Sequence, residues 1–228
     1  MLSRLPLNQL AFWIAVLPTV TVHITWVVAA STSALEWCNP YWAKCHSISA
    51  TGREVPQFYI FKALMLPTAA LMLFYWWRLS RWVASQTLEQ KSAKRIRFLG
   101  TTAALSLVIY TITLGAVGDL FALPRRIGVV GYFAFTAFAH LLLLHTLQDW
   151  VKNHSLAQPA YRSLFQLSML LLILGVISAA LGFAWKDYQH WDNAFEWWFA
   201  ILMISQFVCV GLIYKKANPE LNSKRSGF

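Results

Sequence analysis

The sequence has few charged residues, few cysteines and none of the common catalytic signatures. Only 12% of the 228 residues are charged, against about 25% in an ordinary soluble domain, which excludes a soluble enzyme of standard composition. Three cysteines are too few for a disulfide scaffold. The motifs GxSxG, HExxH, GxGxxG and the P-loop are absent, so the usual soluble hydrolase, metalloprotease and nucleotide-binding sites are not indicated.

Hydrophobic residues are abundant and rich in aromatic side chains. They make up 58% of the chain, which includes 15 Phe, 12 Trp and 8 Tyr, and the mean hydropathy is +0.50. Tryptophan is favoured where hydrocarbon meets water at a membrane surface. The composition therefore predicts an integral membrane protein with no nucleic-acid partner, although its net charge is +10.

Six apolar runs are long enough to cross a bilayer, since a spanning helix needs about 20 apolar residues. Helices satisfy their own backbone hydrogen bonds in lipid, so we expect an all-α protein: one domain over residues 1–228, built as a single bundle of six transmembrane helices. The predicted helices cover residues 10–31, 57–77, 98–119, 127–148, 163–185 and 194–214.

The charges between these runs predict the orientation, because cytoplasmic loops carry an excess of Lys and Arg. With both termini cytoplasmic, 13 basic residues fall inside, most of them in a basic loop over residues 78–97 and in the C-terminal tail, and five fall outside. The long outer loop covers residues 32–56. The inner set is Arg4, Arg78, Arg81, Lys91, Lys94, Arg95, Arg97, Lys152, Arg162, Lys215, Lys216, Lys224 and Arg225, and the inner acids are Glu89, Asp149 and Glu220.

The first outer loop contains the residues best suited to covalent chemistry. Ser47 and Ser49 are candidate nucleophiles, and the candidate bases for them are His46 in the same loop and, outside it, His23 of the first helix and Glu196 of the last. Cys38 and Cys45 are separated by six residues on the oxidising side, where a small disulfide loop and two separate thiols are both open interpretations.

Ionisable residues inside apolar helices are costly and draw attention. His23 and His140 lie near the middle of their helices, and His145 lies five residues after His140. A five-residue step is about 140° around a helix at roughly 100° per residue, so these two do not form a ligand pair. We expect neither a metal site nor a cofactor.

A second group of polar residues is predicted at the outer helix ends. Carboxylates and guanidinium groups together suit a zwitterionic or phosphorylated lipid headgroup, because arginine binds phosphate oxygens with two hydrogen bonds. The alternative for Glu196 is that its carboxylate starts the last helix. The candidate headgroup-binding residues are Ser49, Thr51, Lys62, Asp119, Arg125, Arg126, Glu196 and Trp197.

Two short strings resemble one known family. ISATG at residues 48–52, followed by Pro56 and a predicted helix, is similar to the first-loop pattern of the Frag/DRAM/Sfk membrane proteins, and Glu196–Trp197 is similar to their last-helix EW element. The resemblance implies six helices and lipid-related work at the outer or lumenal face. It assigns the first-loop element to Ser47, Ser49, Thr51 and Gly52. Many members have histidines between helices three and four, where this chain has Asp119, Arg125 and Arg126.

Three functional hypotheses follow from these features. The first is a protein that binds or organises membrane lipids through a headgroup site at its outer face. The second is an enzyme of lipid acyl or headgroup transfer that uses the serines and histidines of the first loop. The third is a transporter or a subunit of a membrane complex, as a homo-oligomer or with a partner protein. The short chain favours a bacterial inner membrane over a eukaryotic endomembrane.

Overall fold

The computed structural model describes residues 5–87 and 89–218, and every regular element in that part of the chain is helical. Three short 3₁₀ turns cover Asp119–Phe121, Ser155–Ala157 and Lys186–His190. The α-helices are α1 (Leu7–Ser31), α2 (Ile48–Thr51), α3 (Gln57–Thr87), α4 (Gln90–Thr113), α5 (Ala122–Lys152), α6 (Gln158–Ala184) and α7 (Asp192–Ala217).

The six long helices lie where the apolar runs predicted them, which confirms the all-helical bundle. Each is long and apolar enough to cross a membrane, which is compatible with integral membrane localisation. All six are longer than predicted, because a helix needs only its backbone hydrogen bonds to continue and tolerates exposed charged side chains beyond its apolar stretch.

Two predicted boundaries are wrong. The basic segment 78–97 is not a loop, since α3 continues to Thr87 and α4 begins at Gln90. The helix predicted over 98–119 ends instead at Thr113, where Leu114 takes an extended conformation, and Gly115 then turns the chain with φ at +75°, a conformation that favours glycine. Of the residues used to predict orientation, Arg4, Glu220, Lys224 and Arg225 lie outside the described residues.

The long helices form a ring in the order α6, α7, α1, α3, α4 and α5. The ring closes only in part, because α6 packs along α7 but meets α5 over a short length. The buried residues of α6 are Leu164, Ser168 and Leu171, all in its first half. In its second half the side chains of Val176 and Phe183 are 70% and 95% exposed. The second half of α6 therefore diverges from α5.

The connections 32–56, 114–121 and 185–191 meet at one end of the bundle, which we call the loop end. Direct contacts join them: Lys44 N–H donates to the carbonyl of His190 over 2.6 Å, and Lys62 Nζ of α3 donates to the carbonyl of Ile112 over 2.9 Å. The opposite end, which we call the basic end, carries the turn at residue 89 and the turn at 153–157. The candidate site residues of the first loop and of α7 thus share one end.

Candidate functional site

The first loop is fastened to itself and to the start of α7. Cys38 and Cys45 are joined by a disulfide bond. Asn193 Nδ2 donates to the carbonyl of Cys45 over 2.8 Å, and Trp197 Nε1 donates to the carbonyl of His46 over 3.0 Å. These bonds fix the chain immediately before α2, so the position of α2 depends on α7.

His23 and Tyr41 form a second attachment of the loop, on α1. His23 Nδ1 lies 2.6 Å from the carbonyl of Thr19 and His23 Nε2 lies 2.7 Å from the Tyr41 hydroxyl. A carbonyl oxygen only accepts, so Nδ1 donates to Thr19 and Nε2 is paired with the Tyr41 hydroxyl. Burial raises the pKa of the Tyr41 hydroxyl above its usual range, which keeps it a donor. Both ring nitrogens are therefore occupied away from the serines.

The helix α2 is a single turn held by its own hydroxyl side chains. Ser47 Oγ accepts from Ala50 N–H over 3.1 Å and caps the turn. Thr51 Oγ1 donates to the carbonyl of Ile48 and lies 3.0 Å from Thr25 Oγ1 of α1. At Gly52, an added Cβ would lie 2.8 Å from the Phe61 ring. Ser47, Thr51 and Gly52 thus have structural roles in this turn.

Ser49 differs from its neighbours because its hydroxyl leaves the turn. Its Oγ lies 2.9 Å from the Tyr110 hydroxyl of α4. The backbone N–H groups of Ile48 and Ser49 interact with the carboxylate of Glu196 on α7. The N–H groups of a first helical turn have no partner within the helix, so these two are available to orient the Glu196 carboxylate. The ISATG and EW strings, 144 residues apart between Gly52 and Glu196, therefore form one polar junction.

This junction closes the polar end of a groove of about 800 Å³, within the roughly 300–1,000 Å³ range of small-molecule sites. The groove lies where α6 diverges from α5, with α7 as its floor, and its mouth includes the exposed residues Val130 and Val176. Its walls are mostly apolar. The lining residues are Ser49, Val129, Val130, Phe133, Ala134, Ala137, Leu171, Leu172, Gly175, Val176, Ser178, Ala179, Tyr188, Asp192, Phe195, Glu196, Phe199 and Met203.

Glu196 also borders a second, smaller cavity of about 50 Å³ inside the bundle, lined mostly by apolar side chains of α1, α3, α4, α5 and α7. The carboxylate is therefore placed between the lateral groove and the bundle interior. Arg53 lies within electrostatic range of it. Glu196 forms no ion pair with the described residues. The ion pair that they do contain joins Lys152 to Asp149 at the basic end.

Several other predicted site residues lie away from the groove. Lys62 contacts the carbonyl of Ile112 and the face of the Phe58 ring rather than an acidic residue. Asp119 and Arg126 are exposed on the connection to α5 and at its start. Arg125 is half-buried and within electrostatic range of Tyr110. Trp197 is buried and attaches the first loop.

The prediction missed Tyr110, Ser178 and Tyr188. The Ser178 and Tyr188 hydroxyls form a hydrogen bond that connects α6 to the 3₁₀ turn after it, and both residues line the groove. In the sequence, each of these three residues is a hydroxyl side chain within or next to a long apolar run. That pattern predicts a polar contact but does not identify its partner.

His140, predicted near mid-helix, belongs to a separate buried contact. Its Nδ1 lies 2.6 Å from Gln206 Oε1, and its ring packs against Trp76 and Phe207. Among residues 5–87 and 89–218, no three His, Cys, Asp or Glu side chains are arranged to hold a metal ion.

Comparisons with known proteins returned no relative. No family model, no curated protein and no solved structure matches the chain.

Proposed function

We propose that the chain is an integral membrane protein that binds a membrane lipid in the groove between α5, α6 and α7, with the lipid headgroup at the loop end. The observation that carries the proposal is the groove itself. Its apolar walls run along the helices, its polar residues are confined to one end, and its mouth opens between α5 and α6. A lipid has the same division into an apolar chain and a polar head.

The orientation follows from charge. With the basic end in the cytoplasm, Arg78, Arg81, Lys91, Lys94 and Arg95 would face the side where Lys and Arg are enriched in membrane proteins. The loop end then faces the outer or lumenal side, where the oxidising environment suits the Cys38–Cys45 bond. The headgroup junction would lie at the outer leaflet, in agreement with the resemblance to Frag/DRAM/Sfk proteins.

The enzyme hypothesis needs a base beside a serine hydroxyl. Ser47 is a helix cap, and Ser49 is hydrogen-bonded to Tyr110. In the described part of the chain, neither hydroxyl is hydrogen-bonded to a histidine, and the contacts of Glu196 with α2 are to the backbone N–H groups of Ile48 and Ser49 rather than to a serine hydroxyl. We therefore propose binding rather than lipid acyl or headgroup transfer.

The test fills the groove without disturbing the bundle. A Cβ added at Gly175 meets nothing within 4 Å, so Gly175→Leu places a side chain in the groove. Ala70→Leu, on an exposed face of α3, is the matched control. We expect native mass spectrometry to show about tenfold less retained lipid for Gly175→Leu, equivalent to about 1.4 kcal/mol, and no change for the control. Equal retention by both variants would contradict the proposal.

A further inference from the structure

The polar end of the groove is acidic. Two carboxylates, Glu196 and Asp192, line it, and none of the lining residues is Lys, Arg or His. Asp192 lies within electrostatic range of Glu196, so the two carboxyl groups act on the same space. Arg53 also lies within electrostatic range of Glu196 but does not line the groove. An anionic headgroup would be repelled here, whereas a cationic group would be attracted.

The position of Glu196 also favours a cation as the ligand. It is half-buried between two cavities, and no described lysine or arginine forms an ion pair with it. A charge removed from water is costly unless it is paired. The backbone N–H groups of Ile48 and Ser49 hold the carboxylate in place, but they supply only partial positive charge.

The surrounding side chains suit a cation that can donate hydrogen bonds. The Ser49 and Tyr188 hydroxyls line the same end of the groove as the carboxylates and can accept hydrogen bonds. The Phe195 and Tyr188 rings lie 5.7 Å apart in the groove wall, and aromatic faces attract cations. A primary ammonium group, with three N–H donors, matches this set of acceptors and rings.

From this chemistry we infer that the groove selects a primary ammonium group on an aliphatic chain, with the ammonium at Glu196 and Asp192. The inference rests on the proposed lipid groove and adds the class of headgroup. The ammonium could belong to a zwitterionic lipid such as phosphatidylethanolamine or to a single-chain amphiphilic amine, and the experiment separates these two sources.

The experiment measures which lipid the purified full-length protein retains from an equal mixture of phosphatidylethanolamine and phosphatidylglycerol with identical acyl chains. Bound lipids are quantified after extraction. We expect about tenfold more phosphatidylethanolamine on the wild type, equivalent to about 1.4 kcal/mol, because a hydrogen bond from an ammonium group to a carboxylate is stronger than one between neutral groups.

Two variants test the assigned residues. Glu196→Gln retains an oxygen that can accept from the N–H groups of α2 but removes the charge, and we expect the lipid ratio to fall to about one. Asp192→Asn should lower it in the same direction, and it carries the test if Glu196→Gln fails to fold. Asp187→Asn is the control, because Asp187 is exposed at the same end and does not line the groove. It should leave the ratio unchanged.

Competition distinguishes the two sources of ammonium. Displacement of bound phosphatidylethanolamine by tetradecylamine but not by tetradecanol would support recognition of the ammonium alone. Displacement by neither, with the lipid preference present and lost in Glu196→Gln, would support recognition of the ammonium within the zwitterionic head. Displacement by both would overturn the inference.

The inference can fail while the proposed function stands. Equal retention of the two lipids by the wild type, with less of both on Gly175→Leu, would overturn ammonium selection and leave the lipid groove intact. Absence of retained lipid on the wild type would overturn both.

Discussion

The helix α5 has two neighbours in the ring, and it packs against them in opposite ways. On the α4 side, a Cβ added at Gly128 would lie 2.6 Å from the backbone nitrogen of Tyr110, and one added at Gly131 would lie 2.7 Å from Ser106 Oγ. On the other side, Gly175 of α6 faces open space. The same residue type thus brings two backbones together at one seam and leaves room at the other.

This difference separates the close-packed part of the molecule from the part where we propose that lipid binds. Without a hydrophobic driving force between helices in lipid, close packing through small residues stabilises their association. The seam between α4 and α5 has that packing along the bundle, so it holds α5 in place. The seam between α5 and α6 lacks it at the loop end, where the groove is open. We expect substitutions at the seam between α4 and α5 to lower stability, and substitutions at the seam between α5 and α6 to lower lipid retention.

The largest effect is expected from Gly128→Leu. The new side chain would collide with the backbone of α4, which cannot move aside as a flexible side chain can, and overpacking typically costs about 1–3 kcal/mol. We expect a loss of stability at the upper end of that range, about 3 kcal/mol. It would be measured as a lower midpoint of thermal unfolding in detergent. A midpoint equal to that of the wild type would mean that α4 and α5 are not close-packed in solution.

A smaller effect is expected from Gly131→Ala. The added methyl group meets the Ser106 side chain, which can rotate, and alanine gains about 1 kcal/mol of helix propensity over glycine. The net destabilisation should be about 1 kcal/mol or less. A double-mutant cycle with Ser106→Ala should show a coupling of about 0.5–1 kcal/mol, and additive effects would argue against the contact.

The smallest effect on stability is expected from Gly175→Leu, the substitution matched to Gly128→Leu. Since its Cβ meets nothing within 4 Å and leucine favours helix over glycine, the unfolding midpoint should stay within about 0.5 kcal/mol of the wild type, as for surface substitutions. The variant should differ from the wild type only in lipid retention. A large loss of stability would show that α6 packs closely on α5.

Much of the fold could be predicted from the sequence, because six apolar runs bounded by charge or aromatic residues leave one economical arrangement. The first and last residues of the helices could not be predicted. Exposed charged residues such as Arg81 and Lys94 are tolerated on a helix, so hydropathy does not report where the backbone stops being helical. Gly115 was the clearest local signal of a helix end that hydropathy overlooked.

The candidate site was predictable only in its polar part. Ser49 and Glu196 were singled out as polar residues at the outer ends, and they lie together at the head of the groove. The groove walls could not be predicted, because Val130 and Val176 look the same in sequence as apolar side chains on the exposed faces of the other helices. Which helices diverge depends on packing between distant segments, and no local pattern encodes it.

The most direct test of the central claim is a structure determined in lipid nanodiscs. The groove should contain elongated density that begins beside Glu196 and Asp192 and runs between α5 and α6 past Gly175. A structure in which α6 packs against α5 up to the loop end, with Val130 touching Val176 and no density between them, would contradict the account.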